Sequence, residues 1–110
     1  MSVVHRDLAG GRWHAMPFIE QMGNVGSEVE RAINWRSKGR LELGRKAGER
    51  ALELMDLTMG DFKNLDRLSE ISRVREALAD SFFGDNEYAS TDDAWRRYFH
   101  AFAFAARKGR

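Results

Sequence analysis

TDDAWRRYFHAFAFAARK, residues 91–108, is the stretch whose reading decides the fold. Trp95, Tyr98, Phe99, Phe102 and Ala106 recur in it at three- and four-residue intervals, and on a helix turning about 100° per residue they form one apolar stripe. So large a stripe has to be buried against other helices. Ser90 or Thr91 suits the N-cap, Asp92 and Asp93 bring negative charge to the positive first turn, and Arg107 and Lys108 bring positive charge to the last. Gly109 then offers a residue for a left-handed cap.

Working outward, the preceding Gly84–Ala89 reads as a loop. Before it, Leu68, Ile71, Leu78 and Phe82, with Val74 beside them, predict a helix over 64–82, with Asn64 as its cap. Residues 40–59 carry a seam of Gly44, Ala47, Gly48, Ala51 and Met55. Leu41, Leu52 and Met59 widen it on one flank and Leu43 and Leu54 on the other, so this helix needs more than one neighbour. Residues 17–37 hold a heptad seam of Phe18, Met22, Val25, Val29, Ala32 and Arg36. Gly23 and Gly26 interrupt it at about 1 kcal/mol each, which points to a neighbouring backbone packed close against them. Pro17 suits a helix start, and residues 1–15, without a clear period, read as a short N-terminal arm.

The expectation is therefore an all-α, single-domain, up-and-down four-helix bundle spanning residues 1–110. A chain of 110 residues with 43% hydrophobic content has enough apolar material for one core. Cysteine is absent, so disulfides and thiolate chemistry are absent too. The polar start, Met1–Gly11, offers no apolar run for a signal peptide or membrane span, and a cytoplasmic, soluble protein is expected. Lys plus Arg (18) against Asp plus Glu (17) leaves no strong overall field. Any nucleic-acid binding by Arg36, Lys38, Arg40, Arg45 and Lys46, around the first interhelical turn, is expected to be weak and salt-sensitive.

Two short patterns bear on catalysis. Glu53-x2-Asp56 resembles half of the magnesium-binding pattern of the all-α nucleotide pyrophosphohydrolases, which pair a Glu-x2-Glu on one helix with a Glu-x2-Asp on the next. The first half is missing, because Glu28 and Glu30 are two residues apart and point about 200° from one another. Arg96 and His100 resemble the arginine and histidine of HEPN-type helical ribonucleases, with three residues between them instead of four to six. At i and i+4 they share a face, where a histidine base and a phosphate-steadying arginine would serve nucleotide- or RNA-directed chemistry. None of His5, His14 or His100 follows a glutamate by three residues, so no bundle metal site is expected, and no cofactor.

A non-enzymatic interaction module that self-associates, as a homodimer, or binds a protein partner fits better. Trp35, Leu43, Leu54 and Phe104 fall outside the seams and are candidate interface residues. One polar residue breaks the pattern: Arg75 falls on the seam between Ile71 and Leu78. Burial there demands a carboxylate, with Glu30 or Glu53 as candidates, and makes Arg75→Ala cost about 3–5 kcal/mol.

Overall fold

Four long helices carry the chain in the computed structural model, which describes residues 11–108. A single turn α1 (Trp13–Ala15) leads into α2 (Phe18–Ser37) and α3 (Leu41–Met59). A 3₁₀ helix (Phe62–Arg67) then runs into α4 (Leu68–Phe83), and α5 (Asp92–Lys108) closes the order. The arm expected over 1–15 lies outside the described residues up to Gly10, as does the cap expected at Gly109. Its remainder is no arm: Trp13 is buried at 1% exposure and belongs to the core.

The connections are short, and side-chain pairs show that each helix runs against the last. Glu28 of α2 meets Arg50 of α3, Asp56 of α3 meets Arg75 of α4, and Glu70 of α4 meets Tyr98 of α5. Glu30 meets Arg96 and Arg36 meets Asp92, so α5 also lies antiparallel to α2. The all-α, up-and-down bundle is thus the observed architecture. α2 packs most extensively against α3 and then against α5, and α3 carries α4. Met22, Val25, Val29, Ile33, Ala51, Met55, Ile71, Leu78, Trp95 and Phe99 join in one core.

Local chemistry sets the turns. After α2 the chain reverses at Gly39, whose φ of 76° lies in the left-handed region open to glycine. The N–H of Arg40 donates to the carbonyl of Trp35 and that of Gly39 to Arg36, the two bonds of a Schellman cap. Before α5, the Asp80 carboxylate accepts from the N–H groups of Glu87 and Tyr88, and Thr91 Oγ1 accepts from the N–H of Ala94. Thr91 is therefore the N-cap that the sequence suggests.

The two glycines of α2 play different parts. A Cβ on Gly26 would stand 2.6 Å from Phe99 Cβ, whereas one on Gly23 would meet nothing nearer than Ala103 Cα at 3.9 Å. Only Gly26 is required by the close approach of α5. In urea unfolding at fixed protein concentration, Gly26→Ala is expected to cost about 1–3 kcal/mol through overpacking. Gly23→Ala is expected to gain up to about 1 kcal/mol of helix propensity.

Candidate functional site

Three places combine polar groups with shape: a polar knot inside the lower end of the bundle, the 3₁₀ helix beside it, and a groove between α2 and α5. The knot centres on Gln21, which has no exposed surface. Its Nε2 donates to the carbonyl of Trp13 (3.0 Å) and to Asp61 Oδ2 (2.8 Å), and its Oε1 accepts from Asn64 Nδ2 (2.8 Å). Asn64 Nδ2 also donates to the carbonyl of Thr58, and Trp13 Nε1 donates to Thr58 Oγ1. Asp61 caps the 3₁₀ helix by accepting from the Lys63 N–H and pairs with the Lys63 ammonium and His14. Burial alone would raise the pKa of Asp61, but hydrogen bonds from Lys63, Gln21 and His14 outweigh it and hold the carboxyl well below the usual carboxylate range.

This knot turns the 3₁₀ helix inside out. With three residues per turn, side chains three apart stack in line, so burying Asp61 and Asn64 sends Phe62, Leu65 and Leu68 outward. They stand 85%, 58% and 39% exposed. Sequence reasoning had placed Asn64 as a helix cap and missed Trp13, Gln21, Asp61 and this ridge. The readable signal was the three-residue spacing of the two sets, where the flanking helices run at three and four.

The groove between α2 and α5 holds about 590 Å³. Gly23, Gly26, Ser27 and Ala103 keep it open, and Ile33, Trp95 and Phe99 line its apolar floor. A smaller recess beside Glu20, Ala106 and Arg107 shares Gly23, Ser27 and Ala103, so the two are continuous along the seam. The rims differ in sign. α2 contributes Glu20 and Glu30, and α5 contributes Arg96, Arg97, His100 and Arg107. Trp95 is 7% exposed, and its indole N–H has no acceptor among the described residues.

The candidate Arg96 and His100 both line this groove, but Arg96 is already engaged. Its Nε lies 3.1 Å from both Glu30 carboxylate oxygens and its Nη2 donates to Asn34 Oδ1. The hydrogen-bonded Glu30 carboxylate raises the pKa of Arg96 above its ordinary value, and its charge offsets the cation that a phosphate would need. Asp56 is bound to Arg75, and among the described residues no three of His, Cys, Asp and Glu gather where they could hold a metal ion.

Arg75 corrects the buried-pocket expectation. Its side chain is 35% exposed and pairs with Asp56, at 2.6 Å from Nε to Oδ1, and not with Glu30, which Arg96 holds. Glu53 lies half-buried on α3. The reason is helical phase: Ile71, Val74 and Leu78 form the seam, and Arg75 falls on its flank facing α3. Of the candidate interface residues, Leu54 is buried in the core, because α3 has neighbours on both flanks. Leu43 and Trp35 are half-buried, and the cations of Lys38 and Arg40 cover the Trp35 ring at 5.6 and 5.7 Å. Phe104 is 55% exposed, one turn beyond His100.

No family model, curated protein or solved structure matches the chain. No helix among the described residues is long and apolar enough to cross a membrane.

Two measurements follow from these geometries. Asp61→Asn is expected to lower stability by about 2 kcal/mol at pH 7, a figure moderated because the Lys63 ammonium keeps access to water. Since folding depresses the pKa of Asp61, its contribution is complete above the ordinary carboxylate value and is lost as pH falls below it. The gap between wild type and Asp61→Asn in urea midpoint should therefore narrow from pH 7 to pH 3. Arg75→Ala, by contrast, should cost less than about 1 kcal/mol, as an exposed pair does.

Proposed function

We propose that this chain is a non-enzymatic helical module that acts by self-association. The observation that supports this reading is the distribution of large apolar side chains: Phe62, Leu65, Phe104 and Tyr88 stand more than half exposed while Gln21, Thr58 and Asn64 are fully buried. Leaving apolar surface in water forgoes roughly 25 cal/mol per Å², and large apolar side chains left exposed while polar ones are buried commonly mark a protein contact. Two of the residues with a catalytic reading, Arg96 and Asp56, are each held in an ion pair. Glu30 occupies Arg96 and Arg75 occupies Asp56, so neither stands free for phosphate or metal, and the shape and remaining rim charge of the groove suit a protein surface.

Sedimentation equilibrium from micromolar to submillimolar concentration tests the reading. A mass rising with concentration from one chain toward two is expected. One chain's mass throughout would remove it.

A further inference from the structure

The α2–α5 face carries both halves of a contact, a projection and a recess, at the same height along the bundle. The recess is the floor of Gly23 and Ser27, with Ala103 across the seam. The projection is Phe104. It follows Ala103, whose Cα is the nearest neighbour that a Cβ on Gly23 would meet. Residues adjacent on a helix differ in height by only about 1.5 Å, so Phe104 stands level with Gly23. Its place one turn beyond His100, which lines the groove, puts it on the same outward side.

The rim charges select how a second copy would lie. Two such faces meet about a two-fold axis in the plane between them, either along the helices or across them. An axis across the helices lays α2 on α2 and α5 on α5, setting the basic rim of Arg97 and Arg107 on its own like, with Glu30 already neutralised by Arg96 and no counter to it. An axis along the helices lays α5 of each copy over α2 of the other, so opposite charges meet at two equivalent places. It also preserves height, which brings each Phe104 over the opposing Gly23 and Ser27. A two-fold contact requires this reciprocity, in which a patch complements itself.

We infer that two copies of this chain pair face to face through the α2–α5 groove about an axis parallel to the helices. Phe104 of each copy seats over Gly23 and Ser27 of the other, and Arg107 faces Glu20 across the contact. The inference rests on the self-association reading and names its surface.

The experiment uses the full chain, with sedimentation equilibrium as the readout and circular dichroism to confirm folding. Phe104→Glu is expected to weaken dimerisation at least about tenfold, as loss of an aromatic anchor does, and Ser27→Trp, which fills the recess, should do the same. Glu20→Arg and Arg107→Glu should each weaken self-pairing. Mixed in equal amounts, they should form a heterodimer tighter than either alone, because each copy then supplies the charge that the other lacks. The groove of each chain still holds two like charges, so repair within one chain would not produce this recovery. A dimer insensitive to Phe104→Glu but abolished by Phe62→Glu would overturn the proposed face and leave self-association standing, and so would a mixture no tighter than its parents. A wild-type chain that stays monomeric throughout would overturn both.

Discussion

The lower end of this bundle depends on one constraint: the amide of Gln21 is sealed from water and has to find all its partners inside the protein. A buried amide left without them costs roughly 1–3 kcal/mol per missing bond. Trp13 of α1, together with Asp61 at the cap and Asn64 in the first turn of the 3₁₀ helix, meets that demand. The requirement thereby fixes α1 and the 3₁₀ helix against α2. It also fixes which face of the 3₁₀ helix points inward. The exposure of Phe62 and Leu65 follows from satisfying polar groups first, so an apolar ridge on the surface is the counterpart of a polar knot within.

At the other end, no comparable knot is needed. The reversal after α2 is held by the backbone cap at Gly39, and the loop before α5 is held by Asp80 and by reciprocal bonds between Asn86 and Ser90. Arg36 joins three helices there, lying 4.7 Å from the Phe82 ring centroid while pairing with Asp92 at 2.6 Å. Between α4 and α5 the Tyr98 hydroxyl donates to Glu70, and burial together with that carboxylate raises the phenol's pKa, so it remains a donor. These devices are local or pairwise, and they set the helix positions without consuming the outer α2–α5 face.

How much of this was legible depends on what a residue has to meet. The stripes of α2, α3 and α5 could be read because burial of Val25, Ala51 or Phe99 depends mainly on helical period. Close packing at Gly26 was legible for the same reason, although the sequence did not separate it from Gly23, whose neighbour is Ala103 and not an aromatic Cβ. The phase of α4 was misread because Arg75 and Val74 are adjacent and only one of them can occupy the seam. Choosing Val74 makes Arg75 a flank residue within reach of Asp56. Leu54 was assigned outward because a helix with apolar flanks on both sides does not say which flank lacks a neighbour. Gln21 and Asn64 were missed for a deeper reason: a polar side chain signals burial only through partners distant in sequence, and those pairings exist once the fold does.

The groove itself joins these levels. Its depth comes from small residues, of which the glycines cost helix stability, and its rims carry opposite charge because the acidic side of α2 lies beside the basic side of α5. Arg96 and Glu30 already neutralise one another across it, which holds the two helices in register and leaves Arg97 and Arg107 on the basic rim. The Glu30–Arg96 and Arg36–Asp92 pairs preorganise the part of this surface near the start of α5, which lowers the ordering cost of docking there. In the proposed pairing a bulky ring would meet a recess already open, and Arg96 would keep its carboxylate, whereas a phosphate-binding role would require Arg96 to leave Glu30.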